Sequence, residues 1–101
     1  MIQWGFFALF EFLISESHKI SKNHMTALDI GSSHGNHTKI MRDFGLKVDQ
    51  IDKYEENADI NDDFNSYDFK KRYDVIFCSH VIEHQRNIGH FLDKIFDTLS
   101  D

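Results

Sequence analysis

Between Thr26 and Asp52 the chain fits a strand, a glycine turn, a helix and a second strand into fewer than thirty residues, and nothing else in it constrains the fold so tightly. TALDI (Thr26 to Ile30) reads as a short buried strand that ends on an acidic and an apolar residue, and GSSHG (Gly31 to Gly35) follows at once. The spacing of Ile40, Met41 and Phe44 in HTKIMRDFG predicts a helix that begins near His37, with Gly45 as its C-terminal cap. LKVDQID (Leu46 to Asp52) carries Leu46, Val48 and Ile51 as its apolar members and reads as a second strand. A crossover this short makes the two strands parallel and the connection right-handed.

Beyond this unit, residues 53–71 are polar and weakly patterned, with ADI (Ala58 to Ile60) as a brief edge strand at best and DFNSYDF as loop. YDVIFCSH (Tyr73 to His80) contains four consecutive apolar residues, Val75 to Cys78, as expected for a central parallel strand covered on both faces. After it, Ile88, Phe91, Leu92, Ile95, Phe96 and Leu99 recur at helical spacing, and Gly89 sets a helix start near that position. The expected fold is an open parallel α/β sheet.

Composition narrows the partners. Seventeen acidic residues outweigh 11 basic ones, for a net charge of −6, and Lys70, Lys71 and Arg72 form the only basic run, so no nucleic-acid partner is expected. The single cysteine, Cys78, cannot form an internal disulfide, which fits a reducing cytoplasm. The most apolar stretch, Ile2 to Ile14, is interrupted by Glu11 and is shorter than the roughly 20 residues of a membrane-spanning helix. Residues 1–24 are therefore expected to form an amphipathic helix and linker, with 25–101 as the ligand-binding domain. Its apolar side chains exceed one buried stripe, so part of that helix is a candidate partner surface.

In an open parallel sheet, ligands bind beyond the carboxyl ends of the strands where the strand order reverses. Gly31 and Gly35 let a ligand approach the backbone, and the following helix directs unpaired N–H groups at the same crevice. Asp52, 21 residues after Gly31, is placed to accept hydrogen bonds from a ribose, which points to an adenosine-containing ligand. A dinucleotide fingerprint needs a glycine where Ser33 stands and a third glycine beyond it, and both are missing. Asp29 adds negative charge near the crevice, which favours a cationic ligand such as S-adenosylmethionine over a pyrophosphate.

These residues resemble the class I S-adenosylmethionine-dependent methyltransferases, small-molecule branch. ALDIGSSHGNHT is similar to their first motif, D/E-x-G-x-x-x-G, through Asp29, Gly31, Ser32, Ser33 and Gly35. Asp52 matches the ribose-holding acidic residue after strand two, and Asp63, ten residues before Tyr73, matches the aspartate that bonds the adenine amino group, with Phe64 against the ring. YDVIFCSHVIEH resembles the fourth-strand motif that ends in E-H, which puts Ser79 and His80 beside the sulfonium, His80 as the candidate to position an acceptor or take its proton. The likeness runs from about Thr26 to Leu99.

The resemblance implies a Rossmann-like methyltransferase sheet, truncated after the helix following strand four, with S-adenosylmethionine as cofactor and a small molecule as methyl acceptor. It also implies three further strands. A fragment, or a subunit completed by itself or another chain, is therefore expected, with an exposed fourth-strand edge. The alternative is a non-catalytic cofactor-binding or assembly fragment.

HVIEH (His80 to His84) also matches the H-x-x-E-H signature of zinc peptidases. It follows directly on an apolar strand, and no glutamate occurs after Glu83 to serve as a distant third ligand, so no metal is expected. Capping of a helix start explains Glu83 and His84, and solvation explains His34.

Overall fold

The computed structural model describes residues 2–3, 11–16, 19–20, 24–31, 36–78 and 85–100. Strands β1 (Ile2–Gln3), β2 (Thr26–Ile30), β3 (Lys47–Ile51) and β4 (Val75–Cys78) form one parallel sheet in the order β1-β4-β2-β3. Helix α1 (Asn36–Asp43) links β2 to β3, and α2 (Ile88–Thr98) follows β4. Residues 11–16, 19 and 20 are also helical.

The βαβ unit forms where its pattern placed it. All five residues of β2 pair with β3, from Thr26 opposite Lys47 to Ile30 opposite Ile51. α1 stops because Gly45, at φ +100°, takes the left-handed conformation that L side chains avoid. The Gly45 N–H then donates to the Arg42 carbonyl (3.0 Å) and the Leu46 N–H to the Met41 carbonyl (3.1 Å), which satisfies two otherwise orphaned helix carbonyls.

From β3 the chain returns to the other side of β2, where β4 pairs with it from Ala27 opposite Val75 to Ile30 opposite Cys78. β2 is thus the strand at which the order reverses. Parallel pairing needs both faces covered, and every residue of β4 is buried. One face carries Ala27, Val48, Val75 and Phe77 against Phe12, Leu13, Ile20 and Met41. The other carries Leu28, Ile30, Ile51, Ile76 and Cys78 against Phe64, Tyr73, Phe91 and Ile95.

Two expectations change. The amphipathic helix does not begin at Ile2: Ile2 and Gln3 run as a strand, opposite Ile76 and Phe77. The outer edge of β4 is accordingly paired at those two positions, because its unsatisfied backbone groups find partners in the N-terminal residues of the same chain. The apolar face of α2 is also narrower than its periodicity suggests. Phe91 and Ile95 are buried, whereas Ile88 and Phe96 are 49% and 63% exposed.

The expected ADI strand holds in reduced form. ADI contributes a single parallel bridge, Ile60 to Ile51, and Tyr73 bridges to Leu99. Asp59 pins this irregular stretch to the sheet: its carboxylate accepts from the Gln50 N–H at 2.8 Å and from the Arg42 guanidinium at 2.9 Å. At the amino ends of the strands, Asp74 accepts from the Thr26 N–H (2.9 Å) and the Ser100 hydroxyl (2.7 Å), and these bonds hold its carboxyl below the usual range.

Candidate functional site

A cleft of about 950 Å³ opens at the carboxyl ends of β2 and β3, beside the start of α2. Its position follows from the topology, since β2, whose carboxyl end lines the cleft, is flanked by β3 on one side and β4 on the other, where the strand order reverses. Gly31, Asp52, Asp63 and Phe64 all line it. Gly31 and the strand-end carboxylate therefore face one space.

Gly31 adopts φ +69°, and its N–H donates to the Ile51 carbonyl at 2.9 Å, which ties the turn to the end of β3. Asp52 is oriented by its own loop. Its Oδ1 accepts from the backbone N–H of Tyr54 (2.8 Å) and of Glu55 (3.1 Å), an Asx turn that presents the carboxylate at the cleft wall.

Asp29 has a different setting from the one expected. It is 1% exposed on β2 and does not line the cleft, so its charge is not presented there. The Thr38 hydroxyl donates to Oδ2 at 2.6 Å, which anchors α1 to the strand, while Oδ1 has no hydrogen-bond partner among the described residues. Burial pushes its carboxyl up to about 7, with the nearby Asp52 charge adding to the effect and the Thr38 bond opposing it. With Asp29 withdrawn, the charge at the cleft wall is set by Asp52, Asp62 and Asp63 against Lys53 and Arg86, a small acidic excess. Burial beside Asp29 also pushes the Cys78 thiol up to about 12, which leaves it an inert core residue.

Asp63 lies 3.9 Å from the Lys53 ammonium, and its Oδ1 accepts from the Asn65 N–H at 3.0 Å. Phe64 is both wall and core: it is 5% exposed and packs on Phe69 and Phe91, with ring centroids 5.6 and 5.5 Å away. Ser32, Ser33, Gly35, Ser79 and His80 lie outside the described residues, as do His34, Glu83 and His84.

Several lining residues were not singled out by sequence. Tyr54, 85% exposed, stands beside Asp52, and Arg86, Asn87 and His90 come from the start of α2. Asn87 caps that helix by accepting the His90 N–H at 3.0 Å, a signal legible in an Asn placed just before an apolar periodic run. Asn65 donates to Gln85 at 2.8 Å and so joins the segment after β3 to the segment after β4. No local pattern announces that pairing across 20 residues.

A parallel sheet whose strand order reverses at a glycine turn, with a carboxylate on the neighbouring strand end, agrees with the match found among known families: a family described as Methyltransferase domain covers residues 7–101. The chain belongs to the methyltransferase-domain family. That family membership and the parallel α/β sheet bear out the class I resemblance read from its motifs. No curated protein matches the chain. Among the described residues of this methyltransferase domain, no helix is long and apolar enough to cross a membrane.

Proposed function

We propose that the cleft binds S-adenosylmethionine and that the domain aligns its methyl group with a small-molecule acceptor. The observation that carries this reading is the convergence of Gly31 and Asp52 on one space of about 950 Å³. The residues present fit the cofactor. Gly31 has no side chain to hold a nucleoside away from the backbone, and Asp52, held by two backbone amides, offers an oriented acceptor for a ribose diol. Asp52, Asp62 and Asp63 outnumber Lys53 and Arg86 at the cleft wall, a small acidic excess that suits a ligand carrying positive charge.

When bound, the cofactor supplies a methyl group already activated by its sulfonium. The chain's own task is then alignment and exclusion of water. Phe64 and Phe91 give the cleft an apolar floor, and the Asn65–Gln85 bond holds its two sides together. His80, after β4, remains the candidate to orient an acceptor or remove its proton.

Calorimetry with S-adenosylhomocysteine tests the binding half. The folded chain is expected to bind it, and Asp52→Ala is expected to weaken affinity roughly 10- to 100-fold through loss of charge-assisted hydrogen bonds. A well-folded chain that gives no binding heat refutes the assignment. Binding without turnover over a broad acceptor panel would favour the non-catalytic cofactor-binding fragment instead.

A further inference from the structure

We propose that Asp29 couples ligand binding to proton release: a cationic ligand in the cleft drives a proton from the buried Asp29 carboxyl to water, so affinity for the cation rises with pH across neutrality. This deepens the S-adenosylmethionine reading and rests on it.

The geometry supplies each part. Asp29 sits two residues before Gly31, which lines the cleft, yet is itself 1% exposed and out of the ligand's direct reach. Among the described residues its carboxyl is held on one side only, by the Thr38 hydroxyl at 2.6 Å, and Oδ1 is buried without a partner. A carboxylate with one donor in a dry setting retains its proton to about pH 7, against an ordinary value of 3.8. A threonine hydroxyl can donate to a carboxylate or accept from a carboxylic acid, so the same contact serves both protonation states.

The groups around Asp29 determine how it responds. Asp52, at the end of the adjacent strand and on the cleft wall, raises its proton affinity, and Arg42 on α1 lowers it. On β4, Cys78 stays a neutral thiol throughout this range. Among the described residues, His37 on α1 is the imidazole beside this strand, its ring 5.0 Å from that of Phe77, which pairs with Asp29. A ligand whose ribose hydroxyls donate to Asp52 also brings its sulfonium into the same cleft, and together they offset the negative charge that favours protonation of Asp29. The proton then leaves to bulk solvent, and no bond to the ligand forms or breaks.

The sign follows from linkage. Ligand lowers the carboxyl's proton affinity, so binding releases protons and tightens as pH rises. A tenfold fall in proton affinity from a midpoint near 7 releases about 0.4 proton per ligand at pH 7 and makes binding about fivefold tighter at pH 8 than at pH 6.

Calorimetry of the full chain at pH 7, in two buffers of different ionisation heat, measures that release directly for S-adenosylmethionine and for S-adenosylhomocysteine, which lacks the sulfonium. Release is expected with the first and is expected to be smaller with the second. Asp29→Asn, a neutral isostere, should abolish it, whereas His37→Gln should retain it. Release that persists in Asp29→Asn, or disappears in His37→Gln, overturns the coupling. Binding of S-adenosylmethionine without proton release also overturns it and leaves the cofactor assignment standing. Absence of binding at every pH overturns both. Should Asp29→Asn fail to fold, carboxyl-carbon NMR of the native chain decides the question: the Asp29 midpoint near neutrality must move to lower pH when S-adenosylmethionine is added, and an unmoved midpoint refutes the proposal.

Discussion

The two faces of the sheet are covered by different means. On the first, Met41 of α1 and the helical Phe12, Leu13 and Ile20 meet Ala27, Val48, Val75 and Phe77. Regular helices bring aliphatic and aromatic side chains down at fixed intervals, and backbone groups are satisfied inside each helix. On the second, α2 supplies Phe91 and Ile95, but the rest of the cover is irregular chain. There Phe64, Tyr67, Phe69 and Tyr73 pack largely edge to face, with centroids 4.7 Å apart for Tyr67 and Phe69 and 6.0 Å apart for Phe69 and Tyr73. Large rings let a segment with few backbone hydrogen bonds bury enough surface to stay in place.

The irregular cover also depends on polar pins. Lys94 donates to the Tyr67 carbonyl and lies over the Phe69 ring, and the Tyr73 hydroxyl donates to Asp49 at 2.7 Å. That bond, with burial, pushes the Tyr73 phenol well above its ordinary value, while its donors hold Asp49 low despite desolvation. The difference teaches where the cleft gets its shape: one wall is an Asx turn on a strand end, and the floor is Phe64 and Phe91, with the aromatic cluster packed behind Phe64.

Substitutions can break the contrast. The largest effect is expected from Phe91→Ala, about 3–5 kcal/mol, because the ring is fully buried and supports Phe64 at the cleft floor. Met41→Ala on the opposite face should cost about 2–5 kcal/mol, but leave ligand affinity in the surviving folded fraction unchanged. Urea unfolding paired with S-adenosylhomocysteine titration separates the two. If both variants lose affinity equally, the aromatic face has no special part in shaping the cleft.

A smaller loss, about 1 kcal/mol, is expected for Asp59→Ala, which removes the pin between the irregular segment, β3 and α1. Hydrogen exchange should then rise first at Ile60 and Gln50, whose N–H groups bond across that junction. Uniform exchange would mean that the rings alone hold the segment. The smallest change belongs to Lys39→Ala on α1, where the 2.8 Å pair with Asp43 is 77% and 62% exposed on its two sides. A few tenths of a kcal/mol, lost at high salt, is the expected loss in thermal unfolding.

The same contrast explains what was legible beforehand. β2, α1 and β3 were readable because a short apolar run, a helical period and an interrupted apolar run each show within a few residues, and Gly45 marks the stop that its φ of +100° requires. Asp52 was readable because a strand end positions it within its own neighbourhood. The β1 pairing was not, since a two-residue strand carries no period, and its partner lies more than seventy residues away. Nor was the aromatic packing behind Phe64: Phe64, Phe69 and Tyr73 follow no helical or alternating spacing.

By itself, then, the amino-acid order determined the parallel βαβ unit, its glycine turn and the strand-end carboxylate, because local periodicity and backbone sterics act over a few residues. Tertiary structure alone decided that Asp29 is withdrawn from the cleft, that Asn65 meets Gln85, and that Ile2 and Gln3 guard the edge of β4. Burial and cross-chain pairing depend on which distant segments share a space, and no short window of sequence contains that information.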